Sequence, residues 1–154
     1  MPKKHTKQDF GKFTADMIKA KQDGVKFKPG RKDGSIATKP FINGRDLPEA
    51  DVLKACISWL KIRCIGAKRI NNGAGDFGGG FRYYGIKGAG DILCCHGGQY
   101  IEVECKAGRG GRLSKTQQKH RDWVEFHGGF YFVVHGVGEL EHFFNQEIFN
   151  KDAK

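Results

Sequence analysis

Polar and apolar residues alternate from Tyr100 to Lys106: Ile101, Val103 and Cys105 fall on one side, and Tyr100, Glu102, Glu104 and Lys106 on the other. This period of two predicts a strand with one ordinary buried face and one face carrying two carboxylates and an ammonium. Further strands are expected over Cys64–Ile70 or Phe81–Ile86, over Asp91–Cys95, and over the apolar run Phe130–His135. A helical period holds elsewhere. Val52, Leu53, Cys56, Trp59 and Leu60 form one stripe of a helix running to about Ile62, with Asp46 as its candidate N-cap and Glu49 three residues on. Glu49 falls at the end of that stripe. Ser114 and Gln117 repeat the capping pattern and open a second helix through Phe126, and Leu140–Phe149 reads as a last short one. Phe10, Phe13, Met17 and Ala20 give Thr6–Gln22 helical spacing, followed by a Gly-, Lys- and Pro-rich arm without a period. The order helix, strands, helix, strand predicts an α/β layer with one sheet over residues 46–150, preceded by a basic extension over 1–45.

Composition sharpens this picture in two ways. A chain of 154 residues, 38% of them hydrophobic, is long enough for one domain with a real core. Its net charge of +10 suits a polyanionic partner such as nucleic acid, although solubility alone also accounts for it. The charge is uneven, with 12 Lys and Arg against 5 Asp and Glu from Met1 to Asp46. Five cysteines, odd in number and without a C-x-x-C pair, argue against a disulfide framework or a zinc ribbon and for a reducing, intracellular setting. No apolar run is long enough for a signal peptide or a membrane span, so no membrane association is expected.

Candidate chemistry comes from a turn. Gly97-Gly98 suits the positive φ angles of a two-residue hairpin, and with these as the loop residues Cys95 faces Tyr100, Leu93 faces Glu102 and Asp91 faces Glu104. Directly opposed side chains have Cβ atoms about 4.5–5.5 Å apart, where like charges repel. Either one acid is protonated or a divalent cation lies between them. Hard oxygen ligands in a hydrated site suit Mg²⁺ or Mn²⁺, and with Lys106 on the same face the set is equipped for phosphodiesters. The expected roles are polarisation of a phosphate oxygen and activation of water at Asp91 and Glu104, with Lys106 orienting that water or balancing charge.

The strings "GAGDIL" (Gly88 to Leu93) and "IEVECKAGRGGRLSKTQ" (Ile101 to Gln117) resemble the virus-type replication-repair nuclease domain, VRR-NUC, of the PD-(D/E)XK superfamily. "RINNGAG" (Arg69 to Gly75) and "FRYYGIKGAGD" (Phe81 to Asp91) extend the likeness upstream, so that it covers about residues 46–140. The resemblance implies a restriction-endonuclease-like α-β-β-β-α-β core with a mixed central sheet flanked by helices. It also implies Mg²⁺- or Mn²⁺-dependent cleavage of DNA, with branched, flap or junction substrates and in some relatives a homodimer. By position, Asp91, Glu104 and Lys106 become the signature triad, Gln117 and Glu49 accessory catalytic residues, and Asp91, Glu104, the Cys105 backbone carbonyl and Glu49 the candidate metal ligands. The sequence departs from the superfamily at Gly90, where the name supplies proline.

Each motif also has a plainer reading. Glu-x-Lys alone says little, since Asp152-Ala153-Lys154 matches D-x-K at the terminus. Glu49 and Gln117 both fit as capping residues. Glu102 is expected to be a supporting or solvated acid, and His120 is placed to face the site. Gly73-x-Gly75-x-x-Gly78 spells a dinucleotide fingerprint but lacks the following helix that such a site needs. It reads instead as a DNA-facing or plain surface loop, with Asn71, Asn72, Arg82 and Tyr84 as candidate DNA contacts. Arg109, Arg112, Lys115 and Arg121 are candidates for the DNA backbone or simply a solvated face. A non-catalytic junction-binding protein on the same fold and a nuclease acting on RNA remain as alternatives.

Overall fold

The structure, a computed structural model, describes residues 33–76 and 78–151; the helix expected over Thr6–Gln22 and the start of the arm lie outside the described residues. Elements follow in the order β1 (Ile36–Thr38), α1 (Glu49–Ile62), β2 (Gly66–Arg69), β3 (Gly73–Asp76), β4 (Phe81–Tyr84), β5 (Ile92–His96), β6 (Gln99–Cys105), β7 (Gly111–Leu113), α2 (Lys115–Phe126), β8 (Phe130–Val134) and α3 (Val137–Phe143). A π-helical turn, Phe144–Ile148, and a 3₁₀ turn, Phe149–Lys151, continue α3, so the last helix starts before Leu140 and tightens only at its end. No helix of the described residues is long and apolar enough to cross a membrane.

The central sheet has the order β2-β5-β6-β8, antiparallel except for the β6-β8 pair, which is parallel. A parallel neighbour needs a crossover, and α2 supplies it between β6 and β8. The central sheet is therefore mixed and the fold α/β; where the sequence predicts one sheet, two two-stranded ribbons, β1-β7 and β3-β4, form beside it. Both alternatives for the first strand form, in different places. Gly66–Arg69 joins the sheet, whereas Phe81–Tyr84 pairs with Gly73–Asp76 in a separate two-stranded ribbon. The G-x-G-x-x-G string is thus a strand leading into its loop, and the segment after it is a strand, as the rejection of a nucleotide fingerprint requires.

One face of the sheet buries Ile92, Cys94, Ile101, Val103, Cys105, Phe132 and Val134 against Val52, Cys56, Trp59 and Leu60 of α1 and Leu140, Phe144 and Ile148 of the C-terminal helical segment. These are the alternate positions that the period of two assigns to the buried side. The opposite face has only a small apolar cluster, Leu113, Val124 and Tyr131, under α2. The acids of β6 and Lys106, the residue after it, open on this second side, and they are buried as well: Glu102, Glu104 and Lys106 are 0%, 3% and 7% exposed. The five cysteines are unpaired, three of them in the interior.

The expected capping box at the start of α1 does not form. Pro48 is the N-cap residue, no side chain caps the helix, and Glu49 is its first residue, not its third. Asp46 is drawn away to an ion pair with Arg109. At α2 both halves of the box are present: Ser114 Oγ accepts from the Gln117 N–H, and Gln117 Oε1 accepts from the Ser114 N–H. The described part of the N-terminal arm lies along the domain, because β1 pairs with β7 and Glu139 Oε1 accepts the N–H groups of Phe41 and Ile42 at 2.6 and 3.3 Å.

Candidate active site

The hairpin that carries the acids turns through Gly97 and Gly98, whose φ values of 55° and 75° are both positive. Only glycine takes two such residues in succession cheaply, and the resulting two-residue loop fixes the register. Pairing follows it from His96↔Gln99 through Leu93↔Glu102 to Ile92↔Val103. The ladder then stops one pair short of Asp91 and Glu104. The Asp91 N–H donates to the Val103 carbonyl at 2.8 Å, and the Asp91 carboxylate swings to accept the Cys105 N–H through Oδ2, also at 2.8 Å. Asp91 and Glu104 still line one cavity of about 520 Å³ with Arg69, Asn71, Asn72, Tyr84 and Gln117.

Glu104 is the centre of the hydrogen bonding. Its Oε1 accepts from Lys106 Nζ and from Gln117 Nε2, both at 2.6 Å, and its Oε2 lies 3.4 Å from the Tyr131 hydroxyl. Gln117 thus caps α2 with its oxygen and holds Glu104 with its nitrogen, so the structural and site roles coexist. Burial, then the charge of Asp91, pushes the Glu104 carboxyl up from its ordinary 4.5 to about 7, with Lys106 pulling the other way and Glu49 adding a further upward push. Tyr131 is raised well above the usual phenol range, by burial first and then by the Glu104 and Glu102 charges.

The donor set fits a small hard cation. Lys106 N–H turns to the Val134 carbonyl of β8, so the backbone groups of Cys105, one residue earlier, face the other way, toward the Asp91 carboxylate. Two carboxylates border the same cavity, with the Cys105 backbone beside Asp91, and Asp91 Oδ1 takes no hydrogen bond among the described residues. Mg²⁺ is commonly held by one or two carboxylates, with water and phosphate completing the shell. No group of three or more His, Cys, Asp or Glu that could hold a metal exists among the described residues. Glu49, exposed at the first turn of α1, is therefore within electrostatic reach of Glu104 but does not complete a three-carboxylate cage.

A pH dependence follows from the raised Glu104 carboxyl. The folded chain keeps a proton that the unfolded chain releases, so this group's contribution to stability is full below pH 4.5 and lost as pH rises through about 7. A cation that needs the ionised carboxylate reverses the sign. Mn²⁺ is expected to raise the melting temperature more at about pH 8 than at about pH 6. Equal shifts at both pH values in a thermal melt would remove Glu104 from the ligand set.

A second buried acid adjoins the first. Glu102 Oε2 accepts the Gly90 N–H at 2.8 Å, while Oε1 accepts the Tyr100 hydroxyl and meets His120 Nε2 at 2.9 Å. Glu102 is thus a supporting acid and not a solvated one, and His120 faces it, not Glu104. This bond also explains Gly90. Proline has no N–H to give Glu102, and a Cβ here would stand 2.8 Å from the Val103 carbonyl oxygen. Gly90 thus has its own local reason.

The candidate DNA contacts divide. Asn71, Asn72 and Tyr84 share the cavity with the acids, and Asn72 Oδ1 also accepts the Ile86 N–H at 2.9 Å. Arg82 stands exposed on β4. Arg109 is paired with Asp46, and Arg112 donates to the Ser35 hydroxyl and carbonyl at 2.7 and 2.6 Å, pinning β1 to β7. Lys115 and Arg121 lie on α2, exposed and half-buried, with Arg121 3.4 Å from Asp122. Arg69 and Tyr131 join the site unannounced. Arg69 sits at the end of a short strand without alternation, and the Tyr131 hydroxyl is hidden in an apolar run.

Comparison with known proteins finds no matching family model, no matching curated sequence and no matching solved structure.

Proposed function

We propose that this chain is a metal-dependent nuclease of the PD-(D/E)XK kind, similar to the VRR-NUC domain, with branched, flap or junction DNA as substrate. The observation that carries the reading is the convergence of Asp91, Glu104, Lys106 and Gln117 at the end of the β5-β6 hairpin, beside a cavity lined by Asn71, Asn72, Arg69 and Tyr84. A bound Mg²⁺ or Mn²⁺ would supply Lewis-acid charge at a phosphate oxygen and lower the pKa of water; Asp91, Glu104 and the Cys105 carbonyl would hold it. Lys106 keeps Glu104 oriented and offsets the negative charge that the two acids concentrate there. Gln117 fixes the same carboxylate from α2, leaving it little rotational freedom. Arg69, Asn71 and Asn72 are suited to phosphate oxygens and base edges.

The test is a panel of duplex, flap, four-way and single-stranded DNA beside RNA, incubated with Mn²⁺ or Mg²⁺. Cleavage that needs the cation, stops with EDTA and favours branched DNA is expected. Binding without cleavage under every condition leaves a non-catalytic junction-binding protein, and cleavage of RNA alone reassigns the substrate.

A further inference from the structure

An aromatic pocket of about 370 Å³ lies on the α2 side of the sheet, bordered by Ile86, Tyr100, His120, Trp123, Val124 and His127. Its rings form a platform: His120 and Trp123 are stacked with centroids 5.8 Å apart, and Trp123 and His127 lie 4.7 Å apart. Trp123 is 57% exposed, on a helix that otherwise contributes only Val124 to the buried interior. The pocket's edge is polar, because His120 and the Tyr100 hydroxyl meet on the fully buried Glu102, whose other oxygen holds the N–H of Gly90, next to Asp91.

The pocket is linked to the candidate active site through an intermediate cavity. Ile86 borders a second cavity of about 580 Å³ that includes Tyr83, Lys87 and Thr116, and Tyr84 and Gln117 are common to that cavity and to the one holding Asp91 and Glu104. The three cavities therefore form a row with shared walls from the acids, past β4, to Trp123. Along it Lys87 Nζ sits 5.2 Å from the Tyr83 ring, a cation beside an aromatic face, in a chain whose net charge is +10. Stacking platforms joined to a cationic path are how proteins hold single strands, since every base offers a π-face and every linkage an anion.

We propose that this pocket receives an unpaired nucleobase from a single-stranded DNA arm, stacked on Trp123, while the arm's backbone follows the row of cavities toward Asp91 and Glu104. The proposal deepens the nuclease reading and rests on it for the identity of the polyanion. Its test is binding without metal, so the two fail separately.

The full chain in EDTA is titrated with a duplex bearing a short thymine arm and with the same duplex bearing an abasic arm, following tryptophan emission and affinity. Trp59 is 8% exposed, so quenching by the thymine arm reports Trp123. The expected result is quenching by the base-bearing arm only, and a preference for that arm which falls about tenfold in Trp123→Ala and is largely restored in Trp123→Phe. Equal affinity for both arms in the natural chain overturns the proposal, as does an unchanged preference in Trp123→Ala. Concentration-dependent association that Trp123→Ala abolishes, without any change in DNA preference, assigns the pocket to a second copy of the chain and also overturns it. Retained base preference with no metal-dependent cleavage of any substrate would remove the nuclease reading and leave the pocket.

Discussion

Replacing Lys106 with alanine is expected to lower metal-dependent DNA cleavage by a factor of about a thousand while the chain still folds. The ammonium is buried, 7% exposed, and its contact with Glu104 Oε1 at 2.6 Å is a charge-assisted bond in a setting where water does little to screen it. Without it, Glu104 keeps the upward push of burial and of the Asp91 charge and loses the opposing pull of the lysine. More of the carboxyl then stays protonated at neutral pH, and the site loses both a candidate ligand and a positive charge. Cleavage rates with Mn²⁺, measured beside a thermal melt to confirm folding, check this. A Lys106→Ala protein that cuts DNA at the natural rate would separate the buried pair from the chemistry altogether.

Glu139→Ala is expected to destabilise the fold by about 3 kcal/mol, the largest effect of any single polar substitution away from the site. Glu139 is 2% exposed and is the hub of four hydrogen bonds. Its Oε2 accepts the His135 N–H and meets His135 Nδ1 at 2.8 and 2.9 Å, and its Oε1 accepts from Phe41 and Ile42. His135 Nε2 in turn meets Thr38 Oγ1 at 3.0 Å, and that hydroxyl accepts the Gly111 N–H. Alanine strands donors on two separate segments, Phe41–Ile42 and His135, and each group left unsatisfied costs about 1–3 kcal/mol before relaxation. Glutamine is expected to cost less, because it keeps the acceptor for Phe41 and Ile42 but turns an amide donor toward the His135 N–H. Urea melts of the three proteins give the order; a Glu139→Ala midpoint equal to that of the natural chain would show that the segment around Phe41 is held by other contacts.

How far the sequence could be read depends on whether the deciding contact is local. The register of β5 and β6 follows from two glycines and strand alternation, so the approach of Asp91 and Glu104 to one end of the hairpin is legible in residues 91–106 alone, whereas the turn of the Asp91 carboxylate to the Cys105 N–H is not. The Ser114-Gln117 box was readable for the same reason. The Asp46-Glu49 box was not, because Arg109, more than sixty residues on, competes for Asp46, and Pro48 takes the N-cap position. Strands β1 and β7 are three residues each, too short for an alternation to show, and β3 is Gly-Ala-Gly-Asp, without the branched or aromatic side chains that mark a strand; each exists through its partner. Glu139 gives no sign in its own neighbourhood of the segment it holds almost a hundred residues away. The supporting role of Glu102 was half visible: its face and its partner Leu93 follow from register, but its complete burial depends on Tyr100, His120 and Gly90 closing round it.

The double attachment of Gln117 narrows what that position can accept. A capping box admits glutamate as readily as glutamine, since only the oxygen serves the helix. Here the far end of the side chain must also present hydrogen to Glu104, and glutamate would bring a third negative oxygen cluster against two that already repel. Helix initiation alone leaves the choice between acid and amide open; the neighbouring carboxylates decide it, so a residue that looks like a generic start signal carries the polarity of the site in its nitrogen.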